Sequence, residues 1–409
     1  MLPRAGRMQD IQPFRVMQLL SRARRLEAGG RDIVHMEIGE PDFPTPAPVI
    51  AAVSRAIADG DVRYTPATGL PALREAIAAW YLRQEGVALD PSRIVVTPGA
   101  SGALLLVLGA ILDPGRSVLM ADPGYPCNRN FARFLDGRSQ AIPVGADTGY
   151  QLTAQQVAAH WDDTTAAVLV ASPSNPTGTL IPGDELRRIR EFVTRKNGVL
   201  IVDEIYHGLV YDGRAETALA LGDDLFVINS FSKYFGLTGW RIGWLVAPES
   251  VVPDLDKLAQ NLFLAAPTPA QHAALAALQP DTLAILERRR DEFHQRRDYL
   301  MPALREIGFE IPVTPQGAFY LYANCERFSD DSLRFAETLL DETGVAITPG
   351  LDFGANQPEK HLRFAYTTSQ SRLEEGVRRL KACLGATVFS NCPIRVGGPG
   401  RVLHFGTRH

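Results

Sequence analysis

From about residue 93 the chain alternates short β-rich apolar runs with helical patterns, and this alternation restricts its fold more than any other feature. The runs are RIVVT (93–97), SVLMADP (117–123), AAVLVASP (166–173), VLIVDE (199–204) and LFVINSFS (225–232). A strand that reads as an unbroken apolar run is covered on both faces. Helices between such strands imply parallel crossovers, so the pattern predicts an α/β fold built on a mainly parallel sheet. The apolar stretch after Gly99-Ala100-Ser101-Gly102 is predicted to be a buried helix.

After residue 282 the texture changes. A long charged helix (287–308) leads into GFEIP, AFYLYAN, a helix from about Ser332, VAITPG, HLRFAY and a last helix ending near Leu384, a smaller α+β unit. The first 45 residues hold one helix (15–28) and a Pro-rich connector, EPDFPTPAP. The expected organisation is residues 1–45 packing on the small domain, a large domain over 46–282, a small α+β domain over 283–385, and a tail over 386–409. That tail has three arginines and no acids, and is expected to be poorly ordered, with a docked role as the alternative. Its His404-x4-His409 pair lacks the matching cysteines of a metal site.

Composition narrows the function classes. Lys and Arg total 42 against 46 Asp and Glu, a formal charge of −4; nucleic-acid binding calls for a cationic surplus. With 45% apolar and 22% charged residues, the chain is of ordinary globular type. The longest apolar run, about Ala103 to Leu112, falls short of the roughly 20 residues of a membrane helix. The first ten residues lack a signal core. Cys127, Cys325, Cys383 and Cys392 are too scattered for a disulfide framework. A soluble, slightly acidic cytoplasmic protein is expected.

Three stretches carry chemistry. SPSNPTG (172–178) follows a strand; it is good turn chemistry, but it also puts Asn175 at the strand's C-terminal end, where open α/β sheets bind ligands. VLIVDEIYHGLVY (199–211) ends a strand on Asp203 and Glu204. Either is a plausible helix cap, yet a carboxylate at a buried strand end calls for a cationic partner. Tyr206 would return to the same side after one helical turn. NSFSKYFGLTGWRIGW (229–244) sets Lys233 among apolar groups, where an amine loses pKa and becomes nucleophilic. Ser230, Ser232 and Arg241 suit a phosphate dianion. Ser230-Phe-Ser-Lys233 also fits the S-x-x-K nucleophile pattern of serine β-lactamases, but the companion S-D-N and K-T-G are absent.

Together with IGEPDF (38–43), YTPATGLPALREAIA (64–78), TPGASGAL (97–104), DPGYP (122–126) and RFAY (363–366), these stretches fall in one order and spacing. Over about residues 14–384 the chain resembles the fold-type I, pyridoxal-phosphate-dependent aminotransferases of class I/II. The resemblance implies a seven-stranded, mainly parallel sheet flanked by helices, and a smaller α+β domain made from both ends of the chain. It implies that Lys233 forms the Schiff base with pyridoxal 5'-phosphate and then shuttles a proton. Asp203 would pair with the pyridinium nitrogen. Tyr206 and Asn175 would donate to the 3-oxygen, and Tyr125 would stack on the ring. Ala100, Ser101, Ser230, Ser232 and Arg241 would hold the phosphate, joined by Tyr64 from a neighbouring subunit, hence a homodimer. Arg363 matches the arginine for the substrate α-carboxylate, with Gly39 close by. Dicarboxylate-specific relatives often carry lysine where this chain has Ser101, and IQPFRVMQLL (11–20) is apolar. Both tilt the expected substrate toward a neutral amino acid, alanine-like, apolar or aromatic. Aspartate-type specificity and a pyridoxal-phosphate-dependent lyase outcome are the alternatives. Regulators on this fold carry an N-terminal DNA-binding domain, for which 13 residues or so leave no room.

Overall fold

A computed structural model describes residues 2–385. The expectations for the tail, for Cys392 and for the His404–His409 pair lie outside the described residues. Among the described residues, eleven strands form two sheets. In chain order they are β1 (Val34–Met36), β2 (Ile94–Thr97), β3 (Ser117–Asp122), β4 (Arg138–Pro143), β5 (Thr165–Ala171), β6 (Val199–Asp203), β7 (Phe226–Ser230), β8 (Gly243–Val246), β9 (Tyr320–Asn324), β10 (Val345–Pro349) and β11 (His361–Ala365).

The larger sheet has seven strands in the order β2-β8-β7-β6-β5-β3-β4. Strands β7, β6, β5, β3 and β4 pair in parallel. β8 runs antiparallel to both of its neighbours, β2 and β7. Successive side chains of a strand face opposite ways, and here both faces are buried. Ala167 and Leu169 of β5 join Ile201 of β6 and Ile228 of β7 in one core. Val168 and Val170 join Leu200, Val202 and Val227 in the other. Each fully buried aliphatic side chain contributes about 1.5–3 kcal/mol. This two-sided burial is why the strands read as continuous apolar runs. The predicted buried helix is Gly99–Ile111, with Leu104, Leu106, Val107 and Leu108 packed on the sheet.

Two strands of this sheet escape the apolar-run criterion. β4 is an edge strand, RSQAIP, with one buried residue, so it has little apolar content to announce it. β8, GWLV, lies inside the stretch read for its chemistry. The long helix also begins earlier than expected, at Pro280 rather than residue 287, and runs to Ile307.

The smaller sheet has the order β1-β10-β11-β9. β1 comes from the N-terminal segment and pairs in parallel with β10, Val34 opposite Val345. The helix Arg15–Ala28 packs on this sheet through Leu19, Leu20 and Ala23, and Arg22 binds Asp341 at 2.5 Å. Among the described residues no helix is long and apolar enough to cross a membrane.

His35 ties these pieces together. Its Nδ1 lies 2.7 Å from Oε1 of the fully buried Glu37, and its Nε2 lies 3.1 Å from Glu27 at the end of the helix. The Glu37 contact raises the imidazole to about 9, against the opposing effect of burial. A group whose folded pKa is raised stabilises below its unfolded value and loses that effect as pH climbs through the folded one. The thermal-stability gap between the wild type and His35→Gln is therefore expected to be full below about pH 6.5 and to close as pH rises through about 9. Melting curves at pH 6, 7.5 and 9.5 measure it; a gap that widens with pH contradicts the assignment.

Candidate active site

A cavity of about 250 Å³ opens at the C-terminal ends of the larger sheet's parallel strands, below the smaller sheet. Each strand end delivers one group. Asp203 is the last residue of β6 and Ser230 the last of β7. Asn175 follows β5, Tyr125 follows β3, and the helix Gly99–Ile111 follows β2 with Ala100 and Ser101 in its first turn. Gly39, just after β1, and Arg363, in β11, close the cavity from the other sheet.

Lys233 sits in the turn after β7. Phe231 N–H donates to Ile242 O (3.1 Å), Leu237 N–H to Phe231 O (2.9 Å), and Phe231 packs on Phe235 and Trp244 with centroids 4.7 and 4.8 Å away. That aromatic packing fixes a turn that would otherwise be mobile. The ε-amine donates to Gly39 O at 2.8 Å and lies 5.9 Å from the ring centres of Tyr206 and Phe319. Burial draws the amine down to about 8. Arg363 and Arg241 act in the same direction, and Glu40 and Asp203 oppose them.

Asp203 is buried, and its carboxylate accepts the Ile205 N–H at 3.1 Å. Burial pushes it up to about 7; Glu204 adds to this, while the Ile205 N–H and Lys233 pull the other way. Glu204 is not a spare acid for the cavity. It accepts Thr217 Oγ1 (2.9 Å) and Ala218 N–H (2.7 Å). Tyr206 reaches the cavity through a short turn leading to the 3-10 segment His207–Leu209, not through a helical turn. Its hydroxyl pairs with that of Tyr320 at 2.8 Å. Burial pushes both phenols up, so they stay protonated donors at neutral pH.

Arg363 is buried and held from several sides. Nη2 donates to Glu37 O (2.6 Å) and faces Thr348 Oγ1 (3.3 Å), Nη1 donates to Asn175 Oδ1 (3.0 Å), and the guanidinium lies 4.3 Å from the Tyr320 ring centre. Nε has no hydrogen-bond partner among the described residues. With its oxygen engaged by Arg363, Asn175 is left with its amide N–H₂ to donate.

At the other end an anion cradle is assembled. Gly99 has φ +71°, and a Cβ there would lie 2.7 Å from Arg241 Nη2, so only glycine lets that guanidinium rest against the helix start. Free N–H groups at a helix N-terminus attract anions. The Ser230 hydroxyl accepts the Ser232 N–H at 3.0 Å, and both serines line the cavity. Tyr64 is not brought into this site. Its side chain stands 83% exposed.

Tyr320, Thr348, Glu37, Thr238 and Asp352 also line the cavity and were not singled out from sequence. Tyr320 lies in AFYLYAN, where alternating aromatics read as a strand core, and Thr348 in VAITPG gives no chemical signal.

The donor set can be tested against a bound group. A buried carboxylate with no cation hydrogen-bonded to it among the described residues, a depressed primary amine and a helix-end anion cradle with an arginine all face one cavity. They suit a cationic nitrogen heterocycle bearing an aldehyde and a phosphate. With an open parallel sheet beneath, this is the architecture of a fold-type I pyridoxal-phosphate enzyme.

Comparison with known proteins fixes the family. Residues 31–380 match the family described as aminotransferase class I and II. The valine–pyruvate aminotransferase of Mycobacterium tuberculosis is 39% identical over 94% of this chain and 99% of its own. The aspartate/prephenate aminotransferase of Thermus thermophilus is 34% identical over 93% and 98%. A crystal structure of an aminotransferase from Mycobacterium tuberculosis superposes with a TM-score of 0.91 at 38% identity, covering 94% of this chain and all of that one. The chain belongs to the class I and II aminotransferases, and it is a pyridoxal-phosphate-dependent aminotransferase.

Gly39 is the tightest point of the site. A Cβ there would fall 2.0 Å from the Tyr320 hydroxyl oxygen. Overpacking of this kind costs about 1–3 kcal/mol. Gly39→Ala should break the Tyr206–Tyr320 contact, shift the carbonyl that accepts Lys233 and lower kcat/KM about tenfold or more. Adding Tyr320→Phe removes the nearest clashing atom and should restore part of the loss. Steady-state kinetics of the single and double variants check both.

Proposed function

We propose that the enzyme moves the amino group of a neutral, apolar amino acid to a 2-oxo acid in two alternating half-reactions, and does so as a homodimer. The observation that carries the substrate class is an asymmetry of the cavity. Beyond the groups already assigned to the cofactor, its lining offers one fixed guanidinium, Arg363, and the apolar side chains Phe14, Val16, Met17, Ile38, Leu104 and Phe353, with a serine at 101. A bidentate guanidinium suits the α-carboxylate common to all amino and oxo acids. The apolar wall then faces the side chain, and Ser101 presents no cation to a distal carboxylate. The name of the Mycobacterium relative, valine–pyruvate aminotransferase, supports the same class.

Pyridoxal phosphate, when bound, supplies the electron sink that makes the substrate Cα–H acidic. In this reading Asp203 would hold a proton on the ring nitrogen, because a buried carboxylate is most stable beside a cation. Tyr206 and Asn175 would donate to the ring oxygen, Tyr320 orienting the first and Arg363 the second. Ala100, Ser101, Ser230, Ser232 and Arg241 would hold the phosphate, and Tyr125 would cover the ring. Lys233 would attach the group and afterwards carry the proton to and from the substrate α-carbon. An amine titrating near 8 is matched to that task at neutral pH. Residues 46–282 would form the cofactor-binding domain, with 1–45 joining 283–385 in the smaller one.

The dimer rests on surface chemistry. Tyr64 is one of several exposed large apolar side chains, Ile50, Ile57, Val62, Leu262 and Leu264 among them. The segments near them are tied together: Thr268 Oγ1 donates to Arg63 O at 2.6 Å, and the helix Ala47–Ala58, which carries Ile50 and Ile57, packs on the helix Thr268–Ala277. Exposed apolar groups of this size fit burial against a second copy of the chain.

A screen of the twenty amino acids against pyruvate and 2-oxoglutarate tests the substrate class. Branched or other apolar amino acids should give the highest kcat/KM; a lead by aspartate or glutamate overturns it. Lys233→Ala should lose at least about 10³-fold in turnover, in line with the loss of a positioned proton carrier. After borohydride treatment its mass should stay at that of the bare chain, whereas the wild type gains the cofactor mass. For the shared site, Tyr64→Ala and Lys233→Ala chains, each impaired alone, should regain part of the activity when unfolded and refolded together. A fully active wild-type monomer in sedimentation runs counter to it.

A further inference from the structure

The leading segment of the chain crosses from one half of the molecule to the other. At its start Arg7 donates to Phe134 O (2.5 Å) and binds Asp136 (3.2 Å), while Arg133 Nε donates to Asp10 (2.6 Å). These partners belong to the helix Pro126–Phe134 and the turn after it, on the large-sheet side. At its far end the segment enters the helix Arg15–Ala28, which packs on the small sheet. The N-cap residue of that helix is Phe14, whose side chain has no acceptor.

The missing cap is supplied from a distance. Asp352, 337 positions after Arg15, places Oδ1 2.8 Å from the Arg15 N–H and Oδ2 2.8 Å from the Val16 N–H. Asp352 is buried, and its carbonyl accepts Arg129 Nη2 at 2.9 Å. A carboxylate that takes two free N–H groups at a helix start gains both hydrogen bonds and the favourable helix dipole. The residues around this grip, Phe14, Val16 and Met17, line the cavity, and so does Asp352 itself. The three side chains come from the end of a strap and the first turn of a helix, where backbone frays most readily. Their position as a wall therefore depends on the grip.

We infer that Asp352 is a positioning residue for substrate selection: it pins the first turn of the helix Arg15–Ala28 so that Phe14, Val16 and Met17 form a fixed apolar wall for the substrate side chain. This inference rests on the apolar substrate class proposed above. A fixed wall rewards a side chain large enough to touch it. Alanine, which presents a single methyl, gains little from it, whereas valine or leucine gains much more.

The test compares Asp352→Asn, Asp352→Ala and Arg15→Pro in the holoenzyme. Asparagine keeps one acceptor oxygen and loses the charge. Proline at the first helical position removes one N–H that Asp352 holds and is tolerated there, because Phe14 already has extended backbone (φ −68°, ψ 129°). Two readouts are taken. Amide hydrogen exchange over residues 11–20 should quicken about five- to tenfold in both Asp352 variants, the scale of a lost helix cap. The ratio of kcat/KM for valine over alanine should fall by about fivefold, carried in KM. Arg15→Pro should lower the ratio less, and its combination with Asp352→Asn should fall short of the product of the two, since both act on one contact. Unchanged exchange overturns the inference, as does an unchanged ratio or an equal loss on both substrates, which marks a general fold role. A parent enzyme inactive on valine overturns the substrate class and this inference with it. A parent active on valine whose variants keep its ratio overturns this inference alone.

Discussion

The site depends on a single buried guanidinium reaching across two sheets. Arg363 grows from β11 of the small sheet, yet it bonds Asn175 beyond the end of β5 in the large one and Glu37 O beside β1. A buried cation is tolerated only when its donors are met, and each half of the fold meets part of that demand. The relative placement of the halves is thereby tied to the group that would read the substrate carboxylate. Lys233 repeats the pattern from the opposite direction, reaching from the end of β7 to Gly39 O. Two cations, one from each sheet, are each held by a main-chain carbonyl of the β1 region, so the short strand at the N-terminus acts as a shared reference for both.

The electrostatics follow from this arrangement. Burial lowers the Lys233 amine and raises the Asp203 carboxyl, so both titrate within about a unit of neutrality, at about 8 and about 7. The neighbouring phenols are pushed up like the carboxyl and remain protonated donors. A common cause, loss of water, thus lowers the amine and raises the carboxyl and the phenols, in each case against the charged form.

Much of this was legible in the chain, for identifiable reasons. Strands covered on both faces announce themselves as apolar runs, so β2, β3, β5, β6 and β7 were readable. β4 pairs through its backbone at an edge and shows mostly polar side chains, so its sequence carries little trace of it. The cavity residues that follow strand ends, such as Asp203, Asn175 and Lys233, stood out because polar chemistry interrupts an apolar pattern. Tyr320 and Thr348 did not, because their surroundings make them look like ordinary strand residues, and only the folding of the small sheet over the large one turns them inward. Asp352 was invisible for a stronger reason. Its partners are backbone N–H groups, which every residue but proline possesses, and no side-chain pattern encodes such a contact.

The parallel pairing of β1 with β10 has a consequence for biosynthesis. Val34 must wait for Val345, 311 positions later. At ribosomal rates of about 5–20 residues per second that is an interval of roughly 15–60 s. Throughout it, the first strand leaves the exit tunnel with its hydrogen-bonding edge unsatisfied, and the oxygen destined for Lys233 has no scaffold. The nascent chain can complete its central sheet early, but the catalytic chamber is sealed only when the last strands are made.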